Sequence, residues 1–143
     1  MIFKDLPSDF KGRVEVVSCF CECQGKILLL HRQNHKQYGN TWGPPAGKIN
    51  AGETALEAIV RELGEESSLV VDAGQFKYFG KYYLRYPEYD FTFHIFHLPL
   101  SEFLEVRINS GEHKSFNWFS PQEALNLPLI RDQDELIKMF YHL

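Results

Sequence analysis

The segment from Gly47 to Leu69, GKINAGETALEAIVRELGEESSL, holds the residues whose types and spacing could do chemistry. Thr54 opens a Thr-x-x-Glu capping box with Glu57, and no proline interrupts the run to Ser67, so a helix is predicted there. On a wheel of about 100° per residue with Glu62 at 0°, Glu65 falls at about 300° and Glu66 at about 40°. Three carboxylates then share one arc, where each like-charge pair costs roughly 0.2–0.5 kcal/mol. The only base nearby is Arg61, at the edge of that arc. A hard divalent cation removes the conflict, because Mg²⁺ takes carboxylate oxygens and completes its shell with waters and substrate phosphates. An acidic, solvated helix face fits the same spacing, and spacing alone leaves both readings open. Ala55 and Ala58 fall on the acidic face, where small side chains are expected to leave room for a ligand. Leu56, Ile59, Val60 and Leu63 form an apolar stripe for the core. Glu57 and Arg61 are spaced as an i,i+4 ion pair on another side.

The same segment resembles the Nudix box, Gly-x5-Glu-x7-Arg-Glu-U-x-Glu-Glu-x-Gly-U, where U is a bulky aliphatic residue. Gly47, Glu53, Arg61, Glu62, Leu63, Glu65, Glu66 and Leu69 fit the pattern. Ser68 stands where the family usually has Gly. That Gly closes a helix and often needs a left-handed backbone, so the departure is read as structural, with no metal ligand lost. The lead-in Trp42-Gly43-Pro44-Pro45-Ala46-Gly47-Lys48 also resembles the family's approach to the box. The resemblance implies a single Nudix hydrolase domain over residues 1–143, with the box at 47–69. It also implies an α/β (α+β) fold: an α/β/α sandwich, with a mixed sheet and a loop–helix–loop catalytic motif.

By that resemblance the box holds Mg²⁺, or Mn²⁺, against a diphosphate. Glu62 and Glu66 are the implied metal ligands, Glu65 a direct or water-mediated one, and the Ala46 carbonyl a further one. Glu53 would accept a proton from water or orient a bound water. Arg61 would hold the carboxylates by charge-assisted hydrogen bonds, the alternative being a surface partner for Glu57. Relatives often bring one more carboxylate from a distant loop, and Glu112 in Gly111-Glu112-His113 fits as general base or further ligand. An ordinary exposed loop Glu fits that position as well. No role is assigned to His94 or His113.

The implied reaction is metal-dependent hydrolysis of a phosphoanhydride in a nucleoside diphosphate linked to another group. Metal charge offsets the phosphate oxygens and activates water, while a carboxylate takes the proton, typically worth about 10²- to 10⁴-fold. A nucleoside triphosphate or a dinucleoside polyphosphate is the expected substrate. Tyr86, 17 residues beyond Leu69, lies where dinucleoside-polyphosphate hydrolases often carry a Tyr, with Tyr82, Tyr83 and Tyr89 nearby. The alternatives are a catalytically silent nucleotide-binding sensor of the same fold and a nucleotide-sugar or ADP-ribose pyrophosphatase. A diphosphate isomerase would need a catalytic Cys, and the cysteines lie on an early strand.

The elements that must position these residues follow from pattern. Arg13 to Cys23 alternates and Lys26 to His31 is apolar, with Gln24-Gly25 between them, so the two read as a hairpin. Arg32 to Gly47 reads as loop. Strands are expected near Leu69–Val71, at Gln75–Arg85, at Asp90–Leu98 and at Ser115–Phe119. Along Asp90–Leu98, Phe91, Phe93 and Ile95 share one face and Phe96 the other. Ser120-Pro121-Gln122-Glu123 opens a short helix, and Asp132 to the C-terminus is a final amphipathic helix.

Composition bounds the class. With 143 residues the chain has the length of one domain, and 44% hydrophobic with 24% charged residues is a globular balance. Fifteen Lys and Arg against nineteen Asp and Glu give a net charge of −4, which argues against general nucleic-acid or anionic-membrane binding. The expected partner is a small nucleotide, and many relatives form homodimers. No apolar run reaches about 18 residues. Cys19, Cys21 and Cys23 fall on one strand face, odd in number, and read as reduced core residues of a cytoplasmic protein. Aromatic residues reach 15%. They gather after the box, where one or two would stack on a nucleobase while the rest fill the core.

Overall fold

A computed structural model describes all residues 1–143. Its eight strands are β1 (Ile2–Phe3), β2 (Val14–Cys23), β3 (Lys26–Arg32), β4 (Trp42–Gly43), β5 (Ala46–Lys48), β6 (Lys77–Arg85), β7 (Asp90–Pro99) and β8 (His113–Phe119). Its helices are α1 (Ala55–Ser67), α2 (Pro121–Ala124) and α3 (Gln133–Tyr141). The sheet runs β1-β6-β7-β2-β3-β4, with β5 added to β2 and β8 to β3. It is mixed, because β2 and β7 pair in parallel along their whole length, from Val14 opposite Phe91 to Glu22 opposite Pro99. The other pairings are antiparallel.

The β2–β3 hairpin forms at Gln24 and Gly25, both with positive φ, as a two-residue turn matched to strand twist requires. Only Glu22 and Cys23 pair with β3. Farther back, the same edge of β2 takes β5 instead, with Val16, Val17 and Ser18 opposite Lys48, Gly47 and Ala46. The two strands therefore part, and β5 fills the gap and carries the chain into α1.

Alternation along the strands sorts side chains onto two faces. On one face Val17, Cys19, Cys21, Leu28, Leu30, Phe96 and Leu98 pack with Ala58, Ile59 and Leu63 of α1. On the other, Phe20, Ile27, Leu29, Phe91, Phe93 and Ile95 pack with Ala124 of α2 and with Leu136 and Ile137 of α3. Helices thus cover both faces, as in the expected sandwich. The three cysteines are free and buried, packed as small apolar residues. No helix is long and apolar enough to cross a membrane.

Three expectations fail locally. Leu69–Val71 is not a strand. Leu69 and Val71 enter the core beneath α1 while Val70 is 92% exposed, so burial alternates without a partner strand. The stretch from Arg32 to Gly47 is not all loop, since it contains β4 and β5, which are too short to show periodicity. Ala58 does not stand under an open ligand space: it is fully buried, with Ala55 packed against the same cluster.

Candidate active site

Helix α1 begins at Thr54, whose hydroxyl accepts from the Glu57 amide while the Glu57 carboxylate accepts from the Thr54 amide. Glu57 is spent on this cap, so the expected Glu57–Arg61 pair does not form. The Arg61 guanidinium turns toward the box acids instead. Its Nε and Nη2 donate to the two oxygens of Glu53 at 2.8 and 2.9 Å. Its Nη1 donates to Glu62 at 2.7 Å and Glu65 at 3.2 Å, and Nη2 also reaches the Lys48 carbonyl at 2.9 Å. A planar fork with five donors can hold this many acceptors at once, which an ammonium cannot. The Arg61 bonds, with an Asn50 amide bond second, hold the Glu53 carboxyl down at about 2. Both Glu53 oxygens are taken and its basicity is low, which makes it a poor proton acceptor at neutral pH.

Glu66 lies on the core side of α1 and is only 5% exposed. Its Oε1 accepts from the Ala46 amide at 2.7 Å, tying the helix to β5. Burial pushes its carboxyl well above the usual range, with the Glu62 and Glu112 charges adding to the shift. Burial also raises Glu62, against the opposing pull of Arg61. Gly47 makes this packing possible, since a Cβ there would overlap the Glu62 carboxyl group.

Glu112 arrives from the loop before β8. The Asn109 carbonyl accepts from the amides of Glu112 and His113, and the Gln33 amide donates to the Glu112 carbonyl. The cinched loop brings Glu112 and His113 to Glu66, and metal-ligating atoms of the three lie within 4.8 Å of one another. His113 is 4% exposed and its Nδ1 has no hydrogen-bond partner. Burial lowers it to about 4, helped by the Arg32 and Lys36 charges, so the imidazole is neutral at neutral pH. A buried carboxylate, a second acid, an orphaned imidazole nitrogen and a glycine cradle form a donor set that fits a divalent cation.

Beside these groups, where β2 and β3 part, is a cavity of about 280 Å³ whose wall includes Ala46, Gly47 and Lys48 of the box entry. Tyr86 and Tyr89 line it; Tyr82 and Tyr83 do not. Tyr82 stacks on Phe79, and Tyr83 meets Phe10 edge to face. Tyr86 is itself largely core, its hydroxyl donating to the Arg131 carbonyl at 2.7 Å. Tyr89, at 40% exposure, presents the more accessible ring. Sequence reasoning missed Arg32, Tyr38 and Gln133, which also line the cavity, and it left His113 without a role. Gln133 is buried, with Oε1 unpartnered. Their only sequence signal is residue type, since they come from distant segments.

Residues 11–140 match the family model of the NUDIX domain. The chain belongs to the Nudix family. This Nudix hydrolase is 31% identical over 127 residues to a CTP pyrophosphohydrolase of Escherichia coli, spanning 89% of the chain and 90% of that relative. It is 39% identical over 80 residues to an RNA pyrophosphohydrolase of Histophilus somni, covering 54% of the chain but 39% of that longer protein. The solution structure of the E. coli ORF135 protein superposes with a TM-score of 0.76 at 27% identity, covering 97% and 95% of the two chains. As a Nudix hydrolase the chain cleaves phosphoanhydride bonds in nucleotide derivatives; Nudix hydrolases generally use divalent metals, and the Glu66, Glu112 and His113 cluster is where this chain could hold one.

Proposed function

We propose that this Nudix hydrolase is a nucleoside triphosphate pyrophosphohydrolase whose base cavity prefers an amino-bearing pyrimidine. The observation that carries the reading is adjacency: Glu66 is bonded to Ala46 and Glu62 lies against Gly47, two residues of the wall of an aromatic cavity, and Glu112 sits beside Glu66. Glu62 and Glu66 are the metal ligands, with the Ala46 carbonyl and Glu65 as further donors. A bound Mg²⁺ or Mn²⁺ supplies charge against the phosphate oxygens and lowers the pKa of coordinated water.

The chain's own residues do the rest. Arg61 locks Glu53, Glu62 and Glu65 in fixed rotamers, so little reorganisation accompanies the reaction. Glu53 acts by position, because its oxygens are committed to Arg61. Glu112, which no such clamp holds, takes the proton on one carboxylate oxygen, leaving the other for the cation, as water oxygen bonds to phosphorus and a bridging P–O bond breaks. The products are a nucleotide and a phosphate or pyrophosphate.

The cavity lies near the lower end of the roughly 300–1,000 Å³ usual for small-molecule sites. That size suits one nucleoside better than the two of a dinucleoside polyphosphate. Tyr89 offers a stacking face, and a turn of the Gln133 amide that brings its buried, unpartnered Oε1 to the cavity wall would let it accept from the exocyclic amine of cytosine. The similarity to a CTP pyrophosphohydrolase agrees with this choice. The net charge of −4 favours a free nucleotide over RNA. Small-molecule turnover does not require a second copy, although a homodimer is compatible with it.

The test is a substrate panel with Mg²⁺ or Mn²⁺: CTP, dCTP, UTP, ATP, a dinucleoside tetraphosphate, ADP-ribose and RNA with a 5′-triphosphate. Cytidine nucleotides should turn over at least about tenfold faster than UTP, a gap of about 1.4 kcal/mol. Tight binding without release of either pyrophosphate or phosphate would establish the sensor instead. Equal rates for CTP and UTP would remove the role given to Gln133. Glu66→Gln should cut turnover by orders of magnitude with the fold intact, and chelation by EDTA should abolish activity until Mg²⁺ is restored.

A further inference from the structure

We infer that His113 supplies an imidazole nitrogen to a divalent cation shared with Glu66 and Glu112, biasing this part of the site toward Mn²⁺ and other transition cations over Mg²⁺. The inference rests on the metal-dependent reading above and adds a ligand of a different chemical kind. Glu66 and Glu112 alone would be an acidic pair, open to any hard cation. His113 is the independent observation: it is 96% buried, yet Nδ1 has no partner. An orphaned polar atom in an interior costs free energy unless something occupies it.

The geometry allows a cation to be that partner. Ligand atoms of Glu66, Glu112 and His113 already lie within 4.8 Å of one another. Nitrogen and oxygen ligands sit about 2.0–2.2 Å from a small divalent ion, so opposite ligands are roughly 4.2 Å apart. Only small side-chain shifts separate the two arrangements. The backbone holds the group firmly: the His113 amide donates to the Asn109 carbonyl, and its residue pairs with Arg32 across β8 and β3. Glu66 is equally fixed through the Ala46 amide. Imidazole suits transition cations, whereas Mg²⁺ prefers an all-oxygen shell.

The experiment reads metal binding directly. Full-length protein is titrated with Mn²⁺ alone, free Mn²⁺ is followed by electron paramagnetic resonance, and the bound ion is examined for spin-echo modulation by a directly coordinated nitrogen. Wild type should show that modulation. His113→Gln should abolish it and weaken Mn²⁺ binding about tenfold or more, while Mg²⁺ binding changes less than about threefold. Should His113→Gln fail to fold, wild type grown with histidine carrying the heavier nitrogen isotope decides: an altered modulation pattern supports the ligand, an unchanged one overturns it. Mn²⁺ bound in a Glu66-dependent way without nitrogen modulation would overturn the role of His113 and leave the metal reading standing. Wild type that binds neither Mn²⁺ nor Mg²⁺ would bring down both.

Discussion

Gly47 lies directly against Glu62, and the space a Cβ would need is filled by the Glu62 carboxyl group. Gly47 sits in β5, paired with Val17, and its φ is not left-handed. Its need for Gly is therefore one of space. Gly47→Ala should fold normally but push Glu62 out of place. A displacement near 1 Å at a reacting centre can cost about 10²-fold. We expect a loss of that order in kcat, with the circular dichroism spectrum unchanged. Activity within about threefold of wild type would contradict the packing.

Arg61 holds Glu53 through two hydrogen bonds, which is why that carboxyl titrates at about 2. Arg61→Gln removes the charge and most of the fork. Carboxyl-labelled NMR should then show Glu53 rising toward the ordinary value of 4.5. Turnover should fall as well, because Glu62 and Glu65 lose the same anchor. Arg61→Lys should restore charge but little activity, since an ammonium cannot span these acceptors.

Glu66 makes the metal-free protein sensitive to pH in an unusual direction. Its folded carboxyl is raised well above the unfolded value of 4.5. Between those values the folded chain holds a proton that the unfolded chain has released, so stability falls as pH rises. His113, whose lowered value acts in the opposite sense over the same range, contributes equally to wild type and Glu66→Gln, so the comparison isolates Glu66: as pH rises from 4.5 toward neutrality, thermal melts of metal-free wild type should lose Tm relative to Glu66→Gln. Added Mn²⁺ or Mg²⁺ should reverse that loss in wild type, by about 2.7 kcal/mol at a hundredfold excess over Kd. Identical pH profiles for wild type and Glu66→Gln would refute the assignment.

Ser68 ends α1 in the left-handed region at φ 62°, its amide donating to the Gly64 carbonyl. A non-glycine residue there costs roughly 1–2 kcal/mol. The Ser68 hydroxyl recovers part of this by donating to the Arg107 carbonyl at 3.0 Å, a bond worth about 0.5–1.5 kcal/mol. Ser68→Gly should therefore shift denaturant stability by less than about 1 kcal/mol, with metal affinity and turnover unchanged. Ser68→Val keeps the strain and loses the bond, and should be clearly less stable.

Local chemistry was legible in the sequence wherever it acted over a few residues. The left-handed Ser68 was legible only through the resemblance to the family box, whereas the Thr54–Glu57 cap, the Gln24-Gly25 turn and the Phe91/Phe93/Ile95 face follow from spacing and side-chain type. So does the cluster of Glu62, Glu65 and Glu66, because one helix carries it. Helical spacing did not reveal which partner Arg61 would choose. Glu57 at i,i+4 competes with Glu53, and the Thr54 cap decides the matter by occupying Glu57. Two-residue β4 and three-residue β5 left no periodic trace, being strands only because neighbouring edges accept them.

By itself, then, the sequence determined the acid-bearing helix, its caps and the strands long enough to alternate, since these depend on contacts within a few residues. Tertiary structure alone decided which distant groups meet. Glu112 and His113 reach Glu66 because the loop before β8 is bonded to Asn109 and Gln33. Tyr86 and Tyr89 reach the cavity because the β6–β7 turn that carries them lies at the Phe91 end of β7, which pairs with Val14 of β2, whereas Tyr82 and Tyr83 lie within β6 and pack on Phe79 and Phe10. Burial is likewise a property of the packed whole. It makes Glu66 a core carboxylate whose pKa is raised and leaves Glu65 an exposed one, although the two are neighbours in the chain.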